Sequence, residues 1–164
     1  MQRRPVRQCP LNSPVEVGMR TLILLARSHP HPLDLSWLVV LDHAMLHSSQ
    51  FDGPPSLHPR LPAQPGELGM KRQTMQEGLE VLLRARLATV EATEGGIVYQ
   101  VTPRGSGFAG ILEAPYVGEL RQRAQWAVEQ FASTMDAVTA TRDITTRWHN
   151  EFITQMRHLG VGRG

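Results

Sequence analysis

The stretch Leu87–Thr102, "LATVEATEGGIVYQVT", decides the fold. Two β-favouring runs flank "EGG", where glycine supplies the positive φ that a tight turn demands. The reading is a β-hairpin, Leu87–Ala92 against Ile97–Val101. The regular elements upstream read as three helices, and three helices followed by a hairpin is the element order of a winged helix. The expected fold class is mainly α with a small β-hairpin: a winged-helix core plus long C-terminal helices.

Working upstream, a third helix is predicted over about Glu67 to Arg86. Leu68, Met75, Leu79, Leu82 and Leu83 form its apolar stripe. Before it lies a long irregular stretch, residues 48–66, with Pro54, Pro55, Pro59, Pro62 and Pro65. A loop of this length inside a small domain is uncommon and usually functional or disordered. Phe51 and the leucines give this one apolar anchors. The second helix takes Asp34 as its cap and repeats Leu35, Leu38, Leu41 and Met45, with Trp37 and Val40 nearby. It is apolar over much of its circumference, hence central. The first helix opens on "SPVE": Ser13 as N-cap, Pro14 at the first position, and Glu16 placed to complete a capping box. Val15, Met19, Leu22, Ile23 and Ala26 make its expected buried face. "SHPHP" stops it, because proline cannot continue the ladder.

Downstream, "VTPRG" caps a short helix with Thr102 and Pro103; it runs to about Ala114, and Pro115 breaks it. A longer helix follows, about Tyr116 to Met135. Val117, Leu120, Ala124, Ala127 and Phe131 repeat at 3-4-3-4, a narrow seam that suits one partner helix. Trp126 falls on the opposite face, amid Glu119, Arg123 and Gln130. It is either part of a partner surface or packed on the winged-helix core. A last helix, about Ala137 to Arg157, carries Ile144, Trp148, Phe152 and Met156 at spacings of four. The domain reading is a flexible tail over 1–12, a winged-helix domain over 13–114 with the proline-rich 48–66 loop, and a helical extension over 115–164.

Bulk properties narrow the function classes. The 164 residues suit one domain, and 41% hydrophobic content suffices for a core. Net charge is only +2, and Lys71 is the sole lysine among 17 basic residues. The pI of 9.2 therefore reflects arginine-rich composition more than a dedicated nucleic-acid surface. Cys9 is alone, so no intrachain disulfide forms. No apolar h-region directly follows the basic N-terminus, and "TLILLA" and "WLVVL" are too short to span a membrane. A soluble, cytoplasmic protein is expected.

Candidate chemistry centres on "HSSQFDGPPSLHP", 47–59. His43 and His47 share a helix face, with Asp42, Asp52 and His58 close by in sequence. They lack the Glu of an HExxH motif and any nearby Cys, and a cationic imidazole in the last turn would serve the helix dipole instead. Ser48, Ser49 and Ser56 lie near histidines without a Gly-x-Ser-x-Gly elbow, and no P-loop occurs. The expectation is no catalytic residue, no metal and no cofactor; a metal-dependent enzyme at His43, His47 and His58 is the weakest reading. For DNA, Lys71, Arg72, Arg84 and Arg86 are the candidate contacts. The third helix is close to neutral, however, and a standard helix-turn-helix joins its helices by about three or four residues. Contact with DNA is expected to be indirect or weak.

Four segments carry a family resemblance: "LNSPVEVGMRTLILL", "LDLSWLVVLDHAMLHSSQFDGPPSLHP", "PGELGMKRQTMQEGLEVLL" and "GIVYQVTPRGSGF", in that order. Together they resemble the small middle component of bacterial three-component ABC-ATPase systems, among them the Lamassu-type anti-phage and anti-plasmid systems. The resemblance covers about Leu11 to Phe131, and more loosely "RWHNEF". It implies a non-catalytic accessory subunit. Its partners would be an SMC-like ABC ATPase that senses foreign DNA and a separate effector, often a nuclease. The matching positions are Phe51, Gly53, Pro54, Pro55, Leu57 and His58 in the loop, and Glu67, Arg72 and Glu77 on the third helix. With Trp126 and Phe131, the loop residues are the candidate partner-binding set. Homodimerisation stays open. The alternative function is a stand-alone winged-helix DNA-binding transcription regulator.

Overall fold

The computed structural model describes residues 13–58, 67–131 and 146. The expected tail, Pro59, Pro62 and Pro65, the last helix and the end of the longer helix beyond Phe131 lie outside them, as does the side chain of Leu68.

Helix α1 spans Pro14–Ser28, and its capping box forms as expected: Ser13 Oγ accepts from the Glu16 N–H while Glu16 reaches back to the Ser13 N–H. Its buried face is shifted from the prediction. Val15 is 59% exposed, and Val17, Gly18, Arg20 and Thr21 are buried with Leu22–Leu25. Val15 sits in the first turn, ahead of the stretch that its neighbours cover. A two-residue strand β1, Leu33–Asp34, precedes α2, Leu35–Leu46. The Asp34 carboxylate caps α2 by accepting from the Trp37 N–H at 2.7 Å. From Leu38 to Leu46 every residue of α2 is buried, so this helix is the centre of the core, as its composition predicts.

Helix α3, Glu67–Arg84, ends two residues before the predicted limit, because Arg86 turns into the left-handed region at φ 58°. Met75, Leu79 and Leu82 are buried as expected, and Leu83 is half-buried. Where α3 crosses α1, Gly78 lies against Gly18: a Cβ on Gly78 would stand 2.8 Å from the Gly18 nitrogen. Two glycines thus let two backbones approach where any side chain would separate them.

The hairpin is β2, Ala88–Thr93, and β3, Gly96–Val101. Its two-residue connection, Glu94-Gly95, leads into Gly96 at φ 121°. Ala88 pairs with Val101, Val90 with Tyr99 and Ala92 with Ile97. β1 adds to the other edge of β3 through Leu33–Tyr99 and Asp34–Val98. The result is a three-stranded antiparallel sheet, order β1-β3-β2. The third strand was not predicted; at two residues it is too short to show alternation. The mainly helical architecture with one small sheet is compatible with a winged helix.

Helix α4, Pro103–Ile111, uses the predicted Thr102 cap but stops before Ala114. Pro115 opens helix α5, Pro115–Phe131, as its first residue, where proline is favoured. The predicted seam is real: Leu120, Ala124, Ala127 and Phe131 are buried, and Val117 is half-buried. It packs against both α1 and α2, not against a single helix. The two small residues at 124 and 127 permit that close fit.

Candidate functional site

The loop after α2 is ordered by its own polar groups. Ser48–Phe51 form one 3-10 turn, closed by Asp52 in the left-handed region at φ 58°, a conformation aspartate tolerates. The Gly53 N–H donates to the Ser48 carbonyl at 3.0 Å, and Ser48 Oγ donates to the Pro54 carbonyl at 2.8 Å. The Ser49 N–H donates to Ser56 Oγ at 3.1 Å. Leu57 and His58 both donate their N–H groups to the Leu46 carbonyl, at 3.1 and 3.2 Å. That carbonyl ends α2 and lacks a helical partner, so the loop folds back to satisfy the helix that launches it.

The loop then lies on α5. The Phe51 ring meets Phe131 edge-on at 5.4 Å and His43 edge-on at 5.9 Å. Trp126 meets Phe131 edge-on at 6.1 Å, and its indole presses on Gly53. A Cβ at Gly53 would stand 2.2 Å from the Trp126 ring, so only glycine permits this seating. Arg123 Nε donates to the Pro55 carbonyl at 3.0 Å. His58 Nε2 and the Tyr116 hydroxyl share a hydrogen bond of 2.8 Å, with their rings nearly parallel. The site is therefore a proline-stiffened strap clasped along one helix by rings at both ends and a guanidinium between.

Under the strap lies a set of polar side chains inside the core. Arg20 from α1 and Asp42 from α2 form a two-bond ion pair, Nε–Oδ1 at 2.7 Å and Nη2–Oδ2 at 3.2 Å, with both side chains 5% exposed. Burial alone would raise the Asp42 carboxyl; the Arg20 guanidinium overrides it and holds the group below its ordinary value. The rings of His43 and His47 lie 4.8 Å apart, tilted by 39°. Burial, reinforced by the Lys71 ammonium, pushes His43 well below the usual imidazole value and His47 down to about 4. Both are neutral near pH 7, which corrects the idea that they act as cations on the helix dipole. Burial likewise lowers His58 and raises the Tyr116 hydroxyl.

Most of the predicted site residues are thus brought together. Phe51, Gly53, Pro54, Leu57, His58 and Trp126 are half-buried, Phe131 is buried and Pro55 is exposed, all along this one seam. Trp126 is packed both on the loop and against the apolar core. Sequence reasoning missed Arg20, Tyr116 and Arg123. The one signal for Arg20 was a charge inside an apolar run, "GMRTLILL", matched by Asp42 in the equally apolar "WLVVLDHAML". The basic set is not gathered. Lys71 is half-buried near the histidines, Arg72 donates to Ser36 Oγ at 3.1 Å, and Arg84 pairs with Glu80 at 3.5 Å. Twelve residues of helix, roughly 18 Å, separate Arg72 from Arg84. The described residues carry nine Lys or Arg against twelve Asp or Glu. Glu77 is exposed on α3. Among the described residues no group of three His, Cys, Asp or Glu side chains is placed to hold a metal ion, and no helix is long and apolar enough to cross a membrane.

Comparison with protein families matches residues 10–151 to the ABC-three component (ABC-3C) system Middle Component 2. The chain belongs to that family. The match takes in all of α1 to α5, the strap included, so the seam between loop and α5 lies within the region that defines a Middle Component 2 chain. Neither the curated proteins nor the solved structures compared contain a match. As a Middle Component 2 family member, the chain is one part of a multi-component ABC system.

Proposed function

We propose that this chain is a non-catalytic scaffolding subunit that bridges an SMC-like ABC ATPase and an effector, in a defence system of the Lamassu type. The family match over residues 10–151 carries the reading. The site geometry supports its non-catalytic side. The groups that could do chemistry are engaged within the fold: Asp42 with Arg20 in the core, and His58 with Tyr116 and Ser48 with Pro54 in the strap. Such a site offers shape. Its fixed seam of Phe51, Trp126 and Phe131 rigidifies the end of α5, and a rigid element binds a partner without losing further conformational freedom. The bridging arrangement places the strap at a contact between components.

The test is co-expression of the three components of one system with a tag on the ATPase. The chain should co-purify with the ATPase and retain the effector. Gly53→Leu, which drives the indole off the strap, should weaken retention while the variant remains helical by circular dichroism. Wild-type chain that associates with neither component would sink the reading. Tight, salt-dependent binding of its own promoter in the absence of both would point to a transcription regulator instead.

A further inference from the structure

Strand β2 is the open edge of the sheet. In the order β1-β3-β2 only β3 is paired on both sides, and no further strand pairs with β2 among the described residues. The register shows which of its backbone groups are spare. The Thr102 N–H donates to the Leu87 carbonyl at 3.0 Å, and that pair continues the Ala88–Val101 register by one step. Bonded and non-bonded pairs alternate along an antiparallel ladder. Thr89, Glu91 and Thr93 therefore turn their N–H and C=O groups toward β3, whereas Val90 and Ala92 turn theirs outward.

The edge lacks the usual guards. β2 holds no proline and no lysine, and its register runs unbroken from Ala88 to Thr93, so no bulge twists it away. Its two faces differ. Val90 stands opposite Tyr99 and Ala92 opposite Ile97, and successive side chains alternate, so these four share one face. Val90 is 50% and Ile97 56% exposed. The other face carries Thr89, Glu91 and Thr93, all exposed. Between Arg86 and Arg104 the charged side chains are Glu91 and Glu94, both acidic.

We propose that β2 accepts an added strand: an extended segment of another component of the system pairs with its free edge, carrying apolar residues on the Val90 face and Lys or Arg on the Glu91 face. Main-chain bonds to Val90 and Ala92 supply affinity, and the alternating side chains supply selectivity. The two carboxylates select the sign of the occupant. A second copy laid antiparallel on β2 brings its own Glu91 to the same face, where like charges across strands are unfavourable. A nucleic-acid backbone meets the same acidic charge. The inference rests on the assembly reading above and gives it a contact that does not use the strap.

Two variants spare the hairpin and alter the edge. Ala92→Pro removes an outward N–H without breaking a bond to β3, and Glu91 before it is already extended, as a residue preceding proline must be. Glu91→Lys reverses the exposed charge. Each should unfold within a few degrees of wild type and weaken binding of the purified chain to one of the two other components by about tenfold, the scale of one net hydrogen bond. Glu113→Lys, the same charge change on an exposed residue between α4 and α5, should not. In parallel, the isolated chain is mixed with acetyl-Lys-Val-Lys-Val-Lys-Val-amide or with acetyl-Lys-Lys-Lys-Val-Val-Val-amide, and amide hydrogen exchange is followed by NMR. In the free chain Val90 and Ala92 should exchange fast and Glu91 slowly. The alternating peptide should slow Val90 and Ala92 at least tenfold, the block peptide should not, and Ala92→Pro should abolish the effect. Wild-type assembly of both variants with no slowing by the peptide overturns the edge and leaves the assembly reading standing. Slowing in a chain that joins no assembly keeps the edge and removes the assembly reading; neither response removes both. Weaker assembly in Glu91→Lys but not in Ala92→Pro overturns strand addition, since a contact through charge alone does not need the backbone. Slowing that rises with chain concentration without peptide assigns the edge to a second copy and overturns the partner segment. Slowing by a DNA oligonucleotide but not by the peptide overturns it as well.

Discussion

Gly53 carries more of this structure than its size suggests. The indole of Trp126 occupies the space where any other residue would have its Cβ. Gly53→Ala should therefore lift the strap and cost about 1–3 kcal/mol, the range for overpacking a fitted site. Denaturant unfolding measures the loss, and a shifted tryptophan emission spectrum locates it. Asp42 is the second such residue. Asp42→Ala leaves the Arg20 guanidinium buried without its counter-charge, which should cost about 3–5 kcal/mol. Asp42→Asn at nearly the same cost would show that charge, more than hydrogen bonding, sets the figure. His47 gives the pH dependence. The unfolded chain takes up protons below about 6.5, whereas the folded imidazole stays neutral to about 4. The unfolded state then binds more protons, so stability falls as pH drops from 7 toward 4 and levels off below. The shift corresponds to roughly 3 kcal/mol at most. His43 acts in the same direction. Unfolding free energies at pH 7.5 and pH 5 should differ in that sense, and His47→Gln should flatten the slope.

At the scale of elements, the sequence was legible wherever a rule is local. Ser13 with Glu16, Asp34, and Thr102 with Pro103 announce three helix starts, and all three caps form. The "EGG" turn announces the hairpin. What stayed hidden depends on distant partners. β1 exists because β3 offers it an edge, not because Leu33 and Asp34 favour extension. The loop was readable as an ordered spacer from its prolines and Phe51, but its landing place on α5 was not, since Trp126 and Gly53 stand 73 positions apart in sequence. The glycines of α1 and α3 read as helix weaknesses until the crossing is seen. Their meaning is testable. Gly78→Ala should destabilise by about 1–3 kcal/mol, because the obstructing atoms are backbone and cannot rotate away. Gly107→Ala, with open space around it, should instead stabilise by about 0.5–1 kcal/mol. Thermal melts of the pair separate the two cases.

For the molecule as a whole, the contacts between strap and helix predict that the two unfold as one cooperative unit. Phe51→Ala removes the ring that joins α2, the strap and α5, and should cost about 3 kcal/mol. Hydrogen exchange should then rise in 48–58 and in the second half of α5 together. A rise confined to the loop would show that the strap decorates α5 without bracing it. In the assembly, the same variant should lose partner retention in step with its loss of protection, since the proposed contact depends on the rigid seam.

One consequence reaches back to synthesis. Helix α5 covers faces of α1 and α2 that lie some 70 to 110 residues earlier in the chain. While a ribosome is still making the hairpin, the most apolar helix of the protein, Leu35–Leu46, has no lid. Closing such long-range contacts is slow, and uncovered apolar surface invites aggregation in the interval. Nascent chains stopped near residue 114 should therefore be captured by chaperones, and chains that extend past Phe131 should be released from them.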